Sequence, residues 1–133
     1  MTDEELIRAF ESTELSADDF PHAAHVRVAW CYLNREPLLV ALTRFRRALQ
    51  RFTAAKGKPE RYHETITIAY VLLIAERLGH APGASWEQFA SANPDLLTWK
   101  PSILARFYTD DVLSSARARE AFVVPNLGDG RDA

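Results

Sequence analysis

The chain has 133 residues, with 16 basic and 18 acidic side chains and a formal net charge of −2. This length suffices for one hydrophobic core, and a hydrophobic fraction of 47% excludes an intrinsically disordered chain. The near balance of charge excludes a strong general attraction to nucleic acid or anionic membranes. We expect one domain over 1–133, with an N-terminal helix and connector over 1–20 and a loose C-terminal tail over 125–133.

Cysteine content and the apolar segments indicate a cytoplasmic protein without a membrane partner. Cys31 is the single cysteine, so no internal disulfide can form. The first residues, 1–5, are acidic and lack the basic and apolar regions of a signal peptide. The longest apolar run, 66–75, is about half of the roughly 20 residues that cross a bilayer. It predicts a buried helix instead.

Three helices are predicted in the first half of the chain. Thr2 and Glu5 form a capping-box pattern that opens a helix ending near Ser12. A second helix begins at Pro21, which suits a first helical turn. The clearest amphipathic helix spans 37–56, because its apolar residues follow spacings of four and three. These residues are Leu38, Leu42, Phe45, Leu49 and Phe52.

The second half continues the helical pattern. A fourth helix over 61–78 is apolar on almost every side, which is typical of a central position. A second capping-box pattern opens a short helix over 86–92, and the segments 101–108 and 110–122 both have helical character. No segment shows the alternation of a β-strand. The sequence therefore predicts an all-α fold, a compact bundle of about six to seven helices.

Polar side chains stand at the beginnings of two predicted helices. His22 and His25 are three residues apart at the start of the second helix, and His63 and Glu64 begin the fourth. Short connections make consecutive bundle helices roughly antiparallel, so the second and fourth helices begin at the same end. We expect these four side chains to share one site.

Neutral imidazoles and carboxylates are ligands of divalent transition metals. His22, His25 and His63 are therefore candidate ligands of a Zn, Fe, Mn or Ni ion. Glu64 either completes the shell or acts as an acid or base, and Glu64 and Tyr62 are the candidate catalytic residues. The pattern favours a small metal-dependent enzyme that acts on a small polar metabolite, and it leaves the reaction type open.

The same residues also fit sites without metal. An imidazole or a carboxylate accepts hydrogen bonds from the free N–H groups of a helix start, so capping alone accounts for both clusters. The second alternative is a polar pocket of a non-catalytic module that binds a small molecule or a partner protein. Thr67 and Tyr70 extend the predicted lining, since they follow His63 on its helix. Arg119 is a candidate for binding an anionic group of the ligand.

Other cofactors and partners are not indicated. Glycine-rich phosphate loops are absent, which argues against a nucleotide cofactor. The basic run over 44–51, with Lys56, Lys58 and Arg61 beyond it, is the one feature typical of nucleic-acid binding. Its phenylalanines fit the buried stripe better than a base-stacking surface, so we expect no nucleic-acid partner. The oligomeric state is open, and a homodimer through the arginine-bearing third helix is one alternative.

Four segments carry a resemblance to a known family. They are FPHAAHV at 20–26, AWCYL at 29–33, YHETIT at 62–67 and NPDLL at 93–97. With these motifs, the chain resembles a family of small uncharacterised bacterial all-helical proteins over most of its length. The resemblance implies a shared fold and a shared site around the histidines, without naming the chemistry of that site.

Overall fold

The computed structural model describes residues 1–128, and this range is helical without any strand. The all-α prediction is confirmed, and five of the eight helices have seven or more residues. The helices are α1 (Asp3–Glu11), α2 (His22–Arg35), α3 (Leu38–Ala55), α4 (Glu64–His80), α5 (Trp86–Ala92), α6 (Pro94–Leu97), α7 (Asp110–Leu113) and α8 (Ala116–Glu120). Short 3₁₀ helices lie at Ala17–Asp19, Pro59–Arg61 and Ile103–Arg106.

Helices α2, α3 and α4 pack against one another and form the centre of the bundle. The apolar stripe of α3 buries Phe45, Leu49 and Phe52, as its periodicity predicts. The centroid of the Phe52 ring lies 5.4 Å from that of Phe10 and 5.0 Å from that of Phe20. Burial of one such side chain contributes about 1.5–3 kcal/mol. Aromatic packing therefore fastens α1 and the following connector to α3.

Both predicted capping boxes are present. The hydroxyl of Thr2 accepts a hydrogen bond from the Glu5 N–H at 3.1 Å, and the Glu5 carboxylate accepts one from the Thr2 N–H at 2.8 Å. Ser85 and Gln88 make the equivalent pair at the start of α5, at 3.1 and 2.9 Å. Each box satisfies N–H groups that a helix start leaves without intrahelical partners. The sequence pattern thus located two helix starts correctly.

Helix α4 differs from its predicted limits at both ends. It begins at Glu64 rather than near Arg61, because Pro59–Arg61 forms a 3₁₀ turn and His63 occupies the N-cap position. The helix also continues through Gly79 to His80. Glycine costs about 1 kcal/mol in a helix interior and so does not by itself end a helix.

The C-terminal region is less regular than predicted. The segment 101–108 contains only the 3₁₀ helix Ile103–Arg106, and 110–122 is divided into α7 and α8. Ser115 causes this division, because its side chain accepts a hydrogen bond from the Ala118 N–H at 3.1 Å and caps α8.

Part of the segment predicted to be a loose tail is hydrogen-bonded to the bundle. The Asn126 N–H donates to the Phe107 carbonyl at 3.1 Å, and the Asn126 side chain accepts from the Thr109 N–H at 3.0 Å. The remainder of that predicted tail, 129–133, lies outside the described residues. Within the described range, no helix combines the length and the apolar character that crossing a membrane requires.

Candidate functional site

A cavity of about 680 Å³ lies among the three central helices. Its deep wall consists of buried apolar side chains from α2, α3 and α4 and from the connector before α2. They are Phe20, Val26, Ala29, Phe45, Leu49, Phe52, Val71 and Ile74. Six of the eight candidate site residues from the sequence also line this cavity, namely His22, His25, His63, Thr67, Tyr70 and Arg119.

His22 lies in an aromatic group on one side of the cavity. Its ring centroid is 4.8 Å from that of Tyr70 and 5.0 Å from that of Trp99. The Nε2 atom is 2.8 Å from the Leu96 carbonyl, so this nitrogen donates and Nδ1 is the unprotonated one. Burial lowers the pKa of His22 below its ordinary value, against the opposing effect of that carbonyl. The side chain is therefore a neutral imidazole at pH 7.

His25 lies one turn further along α2 and stacks on Phe20, with ring centroids 4.0 Å apart. Burial is the main cause that lowers its pKa to about 4, and the nearby His22 adds to the effect. The Phe20 carbonyl acts in the opposite direction but is weaker. His25 is therefore also neutral at pH 7.

His63 has a backbone partner at each ring nitrogen. Its Nδ1 atom accepts a hydrogen bond from the Ile66 N–H at 3.1 Å and so caps α4. Its Nε2 atom is 2.7 Å from the Leu113 carbonyl, to which it donates. Burial and the positive charge of Arg119 lower the pKa of His63, although the Leu113 carbonyl opposes them. Both nitrogens of this neutral ring are thus occupied.

The three histidines surround one cavity but do not converge on one point. His22 contacts Tyr70, which lies two turns beyond His63 along α4, or about 10 Å at 1.5 Å per residue. Over residues 1–128, no group of three or more His, Cys, Asp or Glu side chains is arranged to hold a metal ion. The predicted metal site with His22, His25 and His63 therefore stays a prediction.

Glu64 and Tyr62, the candidate catalytic residues, are not part of the cavity lining. Glu64 accepts two hydrogen bonds from Arg46, at 2.9 and 2.6 Å, and a third from the Tyr62 hydroxyl at 2.6 Å. Burial raises the pKa of Glu64, but these hydrogen bonds outweigh it, so the pKa is lower than usual. Burial and Glu64 raise the pKa of Tyr62. Glu64 is therefore an ionised carboxylate that accepts hydrogen bonds from the neutral phenol of Tyr62 and from Arg46.

Thr67 and Tyr70 line the cavity, and both hydroxyls have protein partners. The Thr67 hydroxyl donates to the His63 carbonyl at 2.7 Å, within the first turn of α4. The Tyr70 hydroxyl is 2.7 Å from the Ser102 hydroxyl. Burial raises the pKa of Tyr70, so it is a neutral phenol at pH 7. These two side chains supply uncharged polar atoms to a mostly apolar wall.

Arg119 lies at the surface end of the cavity, where its guanidinium donates to the Glu60 carbonyl at 2.8 Å. Three further basic side chains line the same end, Lys56, Lys58 and Arg61. In the sequence these three residues only continue the basic run, and no pattern assigns them to the site. Their grouping with Arg119 depends on the hydrogen bond from Arg119 to the Glu60 carbonyl, a contact between distant segments that no local sequence pattern reveals.

Comparisons with family models, curated proteins and solved structures give no significant match for this chain. The resemblance to a small bacterial family therefore stays a prediction.

Proposed function

We propose that this protein binds a small organic molecule in the cavity between α2, α3 and α4. The observation that carries the proposal is the cavity itself, about 680 Å³ in volume and walled by core side chains. Ligand pockets typically measure about 300–1,000 Å³ and have mostly apolar walls with a few polar groups. The cavity has both properties.

The protonation states of the wall favour an uncharged, largely apolar ligand body. The pKa shifts of the three histidines all favour the neutral imidazole, and that of Tyr70 favours the neutral phenol. No acidic side chain lines the deep wall among the described residues. A charged group placed there would lose its hydration without gaining an ionic partner, which is costly. Hydrogen bonds from the wall would instead orient neutral polar atoms.

A fluorescent probe tests whether the cavity accepts a ligand. N-phenyl-1-naphthylamine is neutral and apolar, and it fluoresces strongly on leaving water. We expect saturable binding of about one probe per chain to the native protein. Ala29 lines the cavity, so Ala29→Phe places a ring inside it and should weaken binding about tenfold or more.

The matched control is Ala41→Phe, at a buried alanine of α3 outside the cavity lining. Overpacking a filled core costs about 1–3 kcal/mol. We expect Ala41→Phe to lower the free energy of unfolding, measured in urea, and to leave the affinity for the probe unchanged. Ala29→Phe should lower the free energy of unfolding by less than about 1 kcal/mol, because its ring enters the cavity. Absence of saturable binding, or equal affinity of Ala29→Phe and the wild type, would refute the proposal.

The metal-dependent enzyme stays a separate hypothesis with its own test. Metal binding by His63 requires that it release either the Ile66 N–H or the Leu113 carbonyl, because each nitrogen already has a partner. Elemental analysis of protein purified without an affinity tag decides the matter. One Zn, Fe, Mn or Ni per chain, lost in His22→Ala and His63→Ala, would support the metal site. No metal uptake from these four ions would rule it out.

A further inference from the structure

We infer that the ligand is an amphipathic organic anion whose apolar body fills the cavity and whose acidic head group lies at the basic mouth. The inference rests on the proposed function and adds the chemical class of the ligand. We define the basic mouth as Lys56, Lys58, Arg61 and Arg119, the four basic residues of the cavity lining. Glu60 is the one acidic residue that lines the cavity within the described range.

The charge at the mouth is unlike the charge of the whole chain. Four basic side chains and one acidic side chain gather there, although the formal net charge of the protein is −2. Among residues 1–128, none of the four basic side chains forms an ion pair with a carboxylate. By contrast, Arg46 and Arg77 each donate two hydrogen bonds to a carboxylate. The mouth therefore has unused capacity for an anion.

Two of the four basic residues are held in place by the backbone of other segments. Lys56 donates to the Thr13 carbonyl at 2.9 Å, and its ammonium group lies 5.3 Å from the centroid of the Phe52 ring. Arg119 donates to the Glu60 carbonyl at 2.8 Å. This hydrogen bond places Arg119 beside Arg61, in the 3₁₀ helix Pro59–Arg61 that precedes α4. Positions fixed in this way reduce the entropy cost of binding an anion.

Apolar and cationic parts of the lining are separated in depth. The apolar side chains of α2, α3 and α4 are buried, whereas Lys58, Arg61 and Arg119 are exposed. An anion at the mouth keeps part of its hydration while its apolar body leaves water. Guanidinium groups bind carboxylates and phosphates through paired hydrogen bonds. The separation thus matches a molecule with one acidic end.

Three probes with the same tail and different heads test the inference. Dodecanoate, dodecanol and dodecyltrimethylammonium are titrated by calorimetry below the concentrations at which they aggregate. We expect dodecanoate to bind about tenfold or more tightly than dodecanol, and the cation to bind most weakly. Added salt should weaken dodecanoate binding and leave dodecanol binding unchanged, because salt screens exposed charges.

A pair of double variants identifies the residues responsible. Arg61→Gln with Arg119→Gln removes two charges from the mouth, and Arg47→Gln with Arg117→Gln removes two exposed charges outside the cavity lining. Both double variants change the net charge equally. We expect the first to weaken dodecanoate binding about tenfold, since exposed ion pairs are each worth a few-fold in affinity. The second should change it less than twofold, and dodecanol binding should be unaffected in both.

The outcomes separate this inference from the proposed function. If dodecanol and dodecanoate bind equally and compete with the fluorescent probe, the cavity binds ligands but the anion inference is wrong. If dodecanoate binds more tightly but both double variants weaken it equally, the basic mouth is not the cause and the inference is also wrong. Failure of every probe to bind refutes the proposed function itself.

Discussion

Two neighbouring polar side chains at the start of α4, His63 and Glu64, lie on different sides of the helix and have different roles. On the cavity side, His63 is neutral and is bonded to two backbone groups. On the other side, the next residue, Glu64, is ionised and is bonded to Arg46 and Tyr62. His63 occupies the N-cap position with an extended backbone, and Glu64 is the first residue of the helix, so these neighbours in sequence face different surroundings. Proximity in sequence therefore does not make His63 and Glu64 one catalytic unit.

The two sides also respond differently to charge. Burial lowers the pKa of the histidines and keeps the cavity wall neutral, whereas Arg46 stabilises the charged form of Glu64. A carboxylate that already accepts three hydrogen bonds and has a lowered pKa is a weak base, and at pH 7 it has no proton to donate. The cavity side offers space and uncharged polar atoms, and the other side offers a closed ionic group. This contrast is why the cavity carries the proposed function.

The largest expected effect comes from His63→Ala. The substitution removes the N-cap of α4, which costs about 0.5–2 kcal/mol, and leaves the Leu113 carbonyl without its hydrogen bond, which costs about 1–3 kcal/mol. We expect a loss of about 2–4 kcal/mol in the free energy of unfolding, measured in urea. His63→Asn is the control, because asparagine caps helices well but is too short to replace the imidazole at Leu113. An unchanged stability of His63→Ala would contradict the structural role described for this ring.

The lowered pKa of His25 predicts that the protein loses stability in mild acid. Its pKa is about 4 in the folded protein and about 6.5 when exposed, so the unfolded chain binds the proton more tightly. The stabilisation is complete above about pH 6.5 and is lost as the pH falls toward about 4. One pKa unit corresponds to about 1.4 kcal/mol, so a loss of roughly 1–3 kcal/mol is expected over this range.

The phenylalanine variant isolates this contribution. His25→Phe keeps a ring against Phe20 but removes the titrating group. The free energy of unfolding, measured in urea, should therefore fall less for His25→Phe than for the wild type when the pH is lowered from 7 to 4. Equal declines in the wild type and His25→Phe would show that His25 is not the source.

The helices were largely predictable because their signals are local. The spacing in α3 and the capping boxes at Thr2 and Ser85 each lie within one segment, and the structure has all three. The predicted helix limits were wrong where a side chain inside the predicted helix acts as an N-cap. His63 took the N-cap of α4, and Ser115 capped α8 within a segment that otherwise has helical character.

The arrangement of the candidate site was only partly predictable, because it depends on contacts between distant segments. The histidine-bearing helix starts do lie at one cavity, as the antiparallel arrangement of short-linked helices suggested. The partners of the rings, Leu96 for His22 and Leu113 for His63, are carbonyls without any sequence signature. The basic mouth was also missed, since Arg119 meets the 3₁₀ turn only through tertiary packing.

The smallest expected effect belongs to the other side of α4 and separates the two sides most directly. Glu64→Gln weakens the ionic group with Arg46 and Tyr62, which is partly exposed, so the free energy of unfolding at pH 7 should fall by about 1 kcal/mol. The lowered pKa of Glu64 means that its contribution is present above about pH 4.5 and is lost as the pH falls below that value. The difference between Glu64→Gln and the wild type should therefore vanish in acid.

Ligand affinity gives the second readout for the same variant, with Glu76→Gln as a control at an exposed position of α4. Glu64 does not line the cavity, so both variants should bind the fluorescent probe and dodecanoate as the wild type does. A catalytic or ligand-binding role for Glu64 predicts the opposite pattern, with stability retained and affinity reduced. Because stability and affinity move independently in the two cases, one variant measured both ways decides to which side of α4 the functional chemistry belongs.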